Sequence, residues 1–549
     1  MDNKVSVLCR NNNVTQDYPI GISLSELLDI TQIKLKSPIV GATVNNVLHD
    51  MSYRIFKPKT VEFIELLSIP GQSIYSRSLW MLAAKAAHDV ADAPLIVEHP
   101  VNGGYYCTVG TKVTDEFIAK MAAEMKDIIS RDRPFVMHTD RTENVIKLFE
   151  SVNSYDNTSV LKTSGREYTD YFELDGYIDY YPSVLVPSAG CLGCVDVRRF
   201  HDGIILVVPD IRNTSKLSQI QDSERVYSAH KEFTSWNRLM GMRNVGDFNN
   251  ICINGGIRDL IKISEALHEK KIAAIAEMIK ERQPKFVMIS GPSSSGKTTF
   301  SKRLEIQLRV CGISPIVLSL DNFFVEREQT PLDEKGDYDY EHLQALDLPL
   351  LNSTLNRLLS GEEVEIPTYS FADGRKYFKG NKIKLDNNQV VVMEGIHALN
   401  PDMVPDIPAD VMFKIFAAPL APVSFSDHNW LSHLDVRLIR RIVRDHNFRA
   451  NSAQDTIRRW PSVVRGELKW IYPFMKFADV VFNSALIFEL AVMKIHVEPL
   501  LRQVPETAPE HVLAYELLNF LECFQPVFDK EIPPTSLLRE FLGGSSFHY

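Results

Sequence analysis

The stretch that decides the fold is Gly291-Pro292-Ser293-Ser294-Ser295-Gly296-Lys297-Thr298-Thr299. It fits the pattern G-x-x-x-x-G-K-[ST] of a phosphate-binding loop. An apolar run, 286–290, precedes it as a buried strand, and an amphipathic segment, 299–310, follows it as a helix. Such a turn brings backbone N–H groups and the positive end of a helix dipole to one point. A Gly/Ser turn with a chance lysine would not explain both flanking elements, so the stretch predicts a nucleotide-phosphate site.

The loop chemistry assigns roles to individual side chains. Lys297 is expected to reach the β- and γ-phosphates, and the Thr298 hydroxyl is expected to bind Mg²⁺. ATP and Mg²⁺ are therefore the expected donor and cofactor. The residues of the loop expected to bind ATP are Gly291, Ser293, Ser294, Ser295, Gly296, Lys297, Thr298 and Thr299.

Two acidic residues follow later strand patterns. The run 315–320 ends at Asp321, and the run 389–393 ends at Glu394. In a doubly wound parallel sheet, ligands bind outside the carboxyl ends of the strands, so both acids are expected beside Lys297. Asp321 suits the group that accepts the hydroxyl proton and a water-mediated contact to Mg²⁺, and Glu394 suits a metal or water ligand. The alternative is that both are surface carboxylates at strand ends.

A basic helical segment supplies arginines for a lid over the nucleotide. Arg437, Arg440, Arg441 and Arg444 recur at spacings of three and four, and Arg449 follows them. Guanidinium groups match the geometry of phosphate, so the stripe favours phosphate contacts. The alternative is a solvated cationic face.

Length and composition favour a multidomain intracellular protein. The chain has 549 residues, 45% of them hydrophobic and 24% charged, which is typical of two to four globular domains. Its formal net charge of −10 disfavours a general nucleic-acid binder. Seven dispersed cysteines indicate reduced thiols, and neither a signal-peptide pattern nor a membrane-spanning run is present. We therefore expect a cytoplasmic protein with no membrane partner.

Five segments can be distinguished along the chain. Strand and helix signals alternate between about 283 and 500, which predicts a parallel α/β sheet. The expected fold is a multidomain α/β protein, in which two smaller α+β segments precede the phosphate-loop domain. The segments are 1–65, 66–230, a helical linker 231–282, the α/β domain 283–500 and a helical extension 501–549.

The α/β segment resembles the uridine kinase/phosphoribulokinase family of P-loop kinases. The resemblance covers roughly 283–500 and is carried by several stretches in the family's order. Besides the phosphate loop, these are 320–324 (LDNFF), 339–342 (DYEH), 366–371 (IPTYSF), 392–398 (VMEGIHA), 440–445 (RRIVRD) and 478–481 (ADVV).

The resemblance implies transfer of the ATP γ-phosphate to the 5′-hydroxyl of a nucleoside. By position it implies that Asp321 is the catalytic acid, that Glu394 is an acid of the metal site, and that Arg441, Arg444 and Arg449 are lid arginines. Lys297 and Arg444 join Asp321 as the expected catalytic residues. Glu341 matches an Asp that holds ribose hydroxyls, and Tyr369 and Phe371 match aromatic residues that pack on the base.

Two departures from the family leave the base preference open. The family's base-reading His has no counterpart, since Ala372-Asp373-Gly374-Arg375 follows Phe371. A second lid arginine is replaced by Asn451. Because hydrogen-bonding sites reject analogues strongly, a changed base reader can change the substrate. A uridine- or cytidine-like nucleoside is the expected acceptor.

The first 230 residues resemble parts of threonyl-tRNA synthetases. Residues 5–68 are similar to a TGS domain, a small β-grasp module, on the stretches 18–27 and 38–45. Residues 78–90 and 102–107 resemble the second additional, editing domain of those enzymes. Ser76 and Trp80 stand at the positions of its His-x-x-x-His pair, and neither residue type binds a metal.

The remaining motif is Cys191-Leu192-Gly193-Cys194. Half a zinc site, a redox pair and two reduced structural cysteines are the alternatives. The N-terminal half is expected to regulate the kinase, form contacts in a homo-oligomer, or touch an RNA end, although the acidic chain disfavours strong RNA affinity.

Two rival functions remain beside the nucleoside kinase. The first is a kinase for another hydroxylated small molecule, such as a sugar phosphate or a vitamin. The second is a tRNA- or ribosome-associated protein whose phosphate loop acts as a nucleotide switch. Glu341 and Tyr369 favour a ribose and a stacked base, because a switch has no need of acceptor-site residues.

Overall fold

The structure is a computed structural model that describes residues 4–210, 213–221, 224–333, 336–370, 372–420, 423–430 and 432–548. Among these residues, no helix is both long and apolar enough to cross a membrane. A parallel α/β domain holds the phosphate-binding loop, and two smaller β-sheet regions precede it in the chain.

Residues 4–65 form a mixed five-stranded sheet with one helix. The elements in chain order are β1 (Lys4–Cys9), β2 (Val14–Pro19), β3 (Ile22–Ser23), α1 (Leu24–Thr31), β4 (Ile39–Val44), β5 (Val47–His49), β6 (Arg54–Ile55) and β7 (Lys59–Glu65). The strand order is β2-β1-β7-β4-β5, and β1 and β7 are parallel. Ser23 and Glu26 start α1 as a reciprocal capping box, which satisfies two backbone N–H groups of the helix start.

Residues 69–217 combine helices with three antiparallel sheets, β13-β14-β9-β8, β10-β11-β12 and β15-β16, whose strands are bounded as follows. The elements are α2 (Ile69–Ala91), β8 (Leu95–Val101), β9 (Gly104–Val109), α3 (Asp115–Ser130), β10 (Val136–Arg141), α4 (Thr142–Ser151), α5 (Tyr155–Ser164), β11 (Tyr168–Leu174), β12 (Tyr177–Asp179), β13 (Asp196–Phe200), β14 (Gly203–Val207), β15 (Pro209–Asp210) and β16 (Asn213–Leu217). Fourteen residues of α2 are buried, because the helix packs between a sheet and α3.

Three helices connect this region to the α/β domain: α6 (Glu224–Leu239), α7 (Val245–Ile253) and α8 (Ile257–Arg282). The last is a helix of 26 residues. Its buried face includes Leu260, Ile272 and Ile279, and it packs against the helix that follows the phosphate loop. The connecting segment is therefore part of the hydrophobic core of the α/β domain.

The α/β domain contains a parallel sheet of order β18-β21-β17-β22-β23. Its elements are β17 (Phe286–Ser290), α9 (Lys297–Val310), β18 (Ser314–Ser319), α10 (Leu348–Leu359), β19 (Val364–Ser370), β20 (Arg375–Ile383), β21 (Gln389–Glu394), β22 (Met412–Ala418), α11 (His433–Arg449), α12 (Ala453–Trp470), β23 (Val480–Asn483) and α13 (Glu489–Leu501).

The central strand β17 is buried on both faces. Val287 and Ile289 point into one hydrophobic cluster, whereas Phe286 and Met288 point into the other. This alternation follows from the two-residue period of a strand. A strand covered on both faces by helices reads as a continuous apolar run, which is why the sequence identifies it directly.

The C-terminal extension packs onto the same domain. It contains α14 (His511–Glu522) and α15 (Arg539–Leu542). Leu517, Leu538 and Phe541 belong to the core cluster that also holds Val287 and Ile289. The extension is thus continuous with the core that supports the phosphate loop.

Candidate active site

The phosphate-binding loop joins β17 to α9 at the carboxyl edge of the parallel sheet. A Cβ atom on Gly291 would lie 1.9 Å from the carbonyl oxygen of Ala417, so no other residue fits there. Gly296 has φ +83°, a left-handed conformation that favours glycine, and it precedes the first residue of α9. The two glycines of the motif are therefore required by close approach and by backbone conformation, respectively.

Lys297 lies across its own loop. Its Nζ donates a hydrogen bond to the carbonyl oxygen of Pro292 at 2.9 Å. Burial lowers the pKa of Lys297, and the negative charges of Glu394 and Asp321 act in the opposite direction. The sequence-predicted lysine and the two acids are therefore close enough to affect one another electrostatically.

Thr298 and Glu394 meet at the edge of the sheet. The Thr298 hydroxyl donates to Glu394, with Oγ1 at 3.1 Å from each carboxylate oxygen. Burial raises the pKa of Glu394 to about 7, although the charge of Lys297 opposes that rise. The pair joins the first turn of α9 to the end of β21.

Asp321 lies in the 3₁₀ turn Leu320–Phe323 directly after β18. The surrounding protein raises its pKa by desolvation, against the charges of Lys297 and Arg449. The charges of the phosphate loop, at Lys297, and of the end of α11, at Arg449, therefore both act on Asp321.

Glu341 lies against α12. Gly466 permits this contact, because a Cβ atom on it would lie 2.7 Å from the Cβ of Glu341. Within the part of the chain that the structure describes, Glu341 Oε2 is buried and has no hydrogen-bond partner. Burial and the charge of Glu467 raise the pKa of Glu341 to about 7, and Arg441 opposes them.

An aromatic cluster includes Tyr340, the residue before Glu341 in the chain. Tyr369 is buried at the end of β19, and its ring centroid is 5.6 Å from that of Phe324. The ring of Tyr340 stands edge-on to Phe324 at 6.2 Å. Phe371, the other aromatic residue predicted here, lies outside the described residues.

The three arginines that the sequence assigns to a lid share one carboxylate. Asp445 Oδ1 is 2.7 Å from Arg444 Nη2 and 3.6 Å from Arg449 Nη1, and Asp445 Oδ2 is 3.4 Å from Arg441 Nε. Arg441 also donates to the Ser293 hydroxyl at 2.9 Å. Asp445 therefore gathers three guanidinium groups beside the phosphate loop.

The structure divides the arginine stripe that the sequence treats as one lid surface. Arg437 and Arg440 are fully buried and pair with Glu467 and Glu489, respectively. Arg437 Nε donates to the carbonyl oxygen of Ser293 at 2.8 Å. Arg437 and Arg440 therefore form ion pairs in the interior, whereas Arg441, Arg444 and Arg449 are partly exposed and share Asp445.

Sequence reasoning missed Glu467. This fully buried residue of α12 accepts a hydrogen bond from the Ser293 backbone N–H at 3.1 Å and pairs with Arg437. Its only sequence signal is a glutamate in an amphipathic helix, which ordinarily indicates a solvent-exposed position. Ser293 lies 174 residues before Glu467 in the chain, so no local pattern could identify Glu467 as a contact of the phosphate loop.

The N-terminal region carries the other candidate residues. Ser76 Oγ and the Tyr105 hydroxyl are 2.7 Å apart, and the Trp80 ring packs edge-on against Tyr105 at 5.2 Å. Cys191 and Cys194 are free thiols. Among the described residues, no group of three or more His, Cys, Asp or Glu side chains is arranged to hold a metal ion.

Comparison with known proteins gives the family of the α/β domain. Residues 286–487 match the model of the phosphoribulokinase/uridine kinase family. A uridine kinase from Ligilactobacillus salivarius is 30% identical over 203 residues, which are 37% of this chain and 86% of that protein. The chain belongs to the phosphoribulokinase/uridine kinase family.

Other members show a similar extent of match. The uridine kinase of Staphylococcus aureus (strain Newman) is 32% identical over 194 residues, or 35% of this chain and 84% of that protein. A solved structure described as a possible uridine kinase from Bacillus stearothermophilus is 22% identical, with a TM-score of 0.28. The match covers 39% of this chain and 97% of the chain of that structure. The residues matched by the family model, 286–487, lie within the α/β domain.

Proposed function

We propose that the chain is an ATP- and Mg²⁺-dependent kinase that transfers the γ-phosphate of ATP to the 5′-hydroxyl of a nucleoside. The observation that carries the nucleoside assignment is the buried Glu341 Oε2 atom, which has no partner among the described residues. A buried carboxylate oxygen without a donor is costly, so it favours a ligand that supplies hydroxyl groups. The aromatic cluster of Tyr340, Phe324 and Tyr369 begins at the residue before Glu341 and would offer ring faces to a base.

The donor side suits a nucleotide with Mg²⁺. Thr298 Oγ1 and the Glu394 carboxylate meet at 3.1 Å, and hydroxyl and carboxylate oxygens are the ligands that Mg²⁺ prefers. Thr298 would hold the ion directly, and Glu394 and Asp321 would hold it directly or through water. When bound, Mg²⁺ neutralises charge on the β- and γ-phosphates. Lys297, Arg441, Arg444 and Arg449 supply the remaining positive charge.

The chain's own residues would orient the acceptor and remove one proton. Asp321 would accept the proton of the 5′-hydroxyl as the oxygen–phosphorus bond to the acceptor forms and the bond to ADP breaks. Because phosphoryl transfer needs little covalent help, positioning by Glu341 and charge stabilisation by Arg444 are expected to carry most of the rate enhancement.

The segment boundaries and the N-terminal assignments belong to the same proposal. We assign 1–65 to a TGS-like β-grasp module, 66–230 to a synthetase-editing-like domain, 231–282 to a helical linker, 283–500 to the kinase and 501–549 to an extension. The strand order β2-β1-β7-β4-β5 with α1 supports the β-grasp assignment. The side chains at positions 76 and 80 make a hydrogen bond and a ring contact, which favours a binding or regulatory role over metal-dependent hydrolysis.

The test measures ADP release from ATP and Mg²⁺ with uridine, cytidine, adenosine, guanosine, inosine and thymidine, with each product confirmed by mass. A nucleoside 5′-monophosphate is the expected product. ATP binding with no product from any nucleoside would overturn the nucleoside assignment, and turnover of a sugar phosphate or vitamin would replace it. ATP hydrolysis stimulated by RNA, without a small phosphorylated product, would favour the nucleotide switch.

The catalytic role of Asp321 has its own test. Asp321→Asn keeps the shape of the side chain but removes the proton acceptor, so kcat should fall by roughly a hundredfold or more while nucleoside affinity changes little. Lys297→Ala serves as the inactive reference. A change in KM alone would move Asp321 from the chemical step to substrate binding.

A further inference from the structure

The C-terminal extension reaches the phosphate-binding loop. Glu540, in α15, accepts two hydrogen bonds through Oε2 from Thr299, one from the backbone N–H at 3.1 Å and one from the side-chain hydroxyl at 2.7 Å. Thr299 lies in the first turn of α9, directly after the motif lysine and threonine. A carboxylate of the protein therefore occupies hydrogen-bond donors at the anion-binding end of this helix.

A second contact of the extension lies on the loop itself. A Cβ atom on Gly296 would lie 2.5 Å from Leu537 Cδ2, so the leucine side chain covers the glycine. Leu537 and Phe541 are buried, and Asn447 Nδ2 donates to the carbonyl oxygen of Phe541 at 3.1 Å. The extension is thus fastened on both sides of Glu540.

The charge of Glu540 acts on the catalytic groups. It is among the charges that work against the burial-induced lowering of the Lys297 pKa, and it adds to the burial that raises the Glu394 pKa. The Glu540 carboxylate resembles a phosphate in two ways: it is negatively charged, and it accepts hydrogen bonds from the first turn of α9. The N–H groups of the loop and of the following helix turn are the donors that hold nucleotide phosphates.

We propose that Glu540 is a built-in competitor for the phosphate donor. The Glu540 carboxylate and a nucleotide phosphate require the same hydrogen-bond donors at the start of α9. Binding of the nucleotide therefore displaces the segment around α15. Residues 529–542 lie outside the family match, 286–487, which makes this contact an addition to the shared kinase domain. The proposal rests on the nucleotide site described above and adds a regulatory element to it.

The binding test compares the full-length protein with Glu540→Gln and Glu540→Ala. Binding of ATP with Mg²⁺ is measured by calorimetry without an acceptor, and removal of the competing charge should tighten it roughly tenfold, because charge-assisted hydrogen bonds are the strong ones. The matched control is Glu531→Gln, in the same extension, where Glu531 pairs with Arg258 at 3.2 Å and does not touch the loop. The Glu531→Gln variant should bind ATP with Mg²⁺ as tightly as the wild type does.

Hydrogen exchange gives a second measurement that does not depend on activity. In the wild type, ATP with Mg²⁺ should increase exchange in the peptide covering 533–545, because the segment leaves the loop. Unchanged or weaker ATP binding by both Glu540 variants, with the wild type binding ATP, would overturn the proposal and leave the kinase assignment standing. Failure of the wild type and every variant to bind ATP would instead reject the nucleotide site itself.

Discussion

At the scale of single residues, Glu341 is a carboxylate whose charge depends on its burial. Burial and the charge of Glu467 raise its pKa to about 7, against the attraction of Arg441. Below that pH the side chain is protonated and accepts hydroxyl hydrogen bonds poorly. We therefore expect the KM of the acceptor to rise roughly tenfold from pH 8 to pH 6, in proportion to the loss of the ionised form.

The matched measurement uses Glu341→Gln. This variant should have a high acceptor KM that does not change over the same pH range, because it has no group to titrate. Glu362→Gln, which removes a surface carboxylate that pairs with Arg357, should keep the wild-type profile. A flat wild-type KM, or the same pH dependence in Glu341→Gln, would exclude Glu341 as the titrating group.

Sequence could identify the residues that follow a recognisable strand or loop. Lys297 and Thr298 are fixed by the motif, and Glu394 follows an apolar strand run, so their meeting at one sheet edge is predictable. Glu467 and Glu540 are different. Their hydrogen bonds to the loop join residues 174 and 241 positions apart, and neither glutamate lies in a pattern that distinguishes it from a surface residue.

At the scale of elements, α11 and α12 hold the phosphate loop through a buried ion pair. Arg437 and Glu467 are both fully buried, and each also binds the backbone of Ser293. Removing one partner leaves an uncompensated charge in the interior. We expect Arg437→Met to lower the free energy of unfolding by about 3–5 kcal/mol, measured by urea denaturation.

A double variant separates stability from function. Arg437→Met combined with Glu467→Leu should recover most of the lost stability, because an apolar pair tolerates burial. It should still bind ATP more weakly than the wild type, since neither new side chain can bind the backbone of Ser293. Arg309→Met, which removes a surface pair with Glu305, should cost only about 0.5 kcal/mol. Equal costs for the surface and buried variants would contradict a supporting role for the pair.

The arginine stripe shows where helix periodicity stops being informative. Spacings of three and four place Arg437, Arg440, Arg441 and Arg444 near one another on the surface of α11. They do not tell which of them faces the core, because this depends on the carboxylates that meet them. The partner carboxylate of Arg437 is 30 residues further along the chain, and that of Arg440 is 49 residues further along. The sequence therefore predicts a basic helix beside the nucleotide but not its buried half.

At the scale of the whole molecule, the N-terminal region and the kinase domain share buried polar contacts. His428, in the loop before α11, pairs with Asp179 of β12 at 2.8 Å between Nδ1 and Oδ2. The backbone N–H of Asp427 donates to Asp156 at 2.9 Å. These partners are 249 and 271 residues apart, so their pairing follows from the docking of the two regions and not from any local pattern.

The pair His428–Asp179 should make the stability of the molecule depend on pH. Burial alone would lower the pKa of His428, but the charge of Asp179 and its hydrogen bond outweigh burial and raise the pKa to about 9. The ordinary value is 6.5, so the folded protein holds a proton that the unfolded chain releases between these two pH values. The stabilisation, on the order of 3 kcal/mol, is fully present below pH 6.5 and is lost as the pH rises to about 9.

Neighbouring groups do not reverse this direction. Burial and the charge of Asp156 raise the pKa of Asp427 to about 7, so this acid also makes the folded state less stable as the pH rises, in a lower range that ends near pH 7. Thermal unfolding of the wild type should therefore show a falling midpoint from pH 6.5 to pH 9. His428→Asn should remove most of that fall, whereas His446→Asn, at an exposed position on α11, should retain it. An unchanged slope in His428→Asn would show that the contact between the two regions does not depend on the proton held by His428.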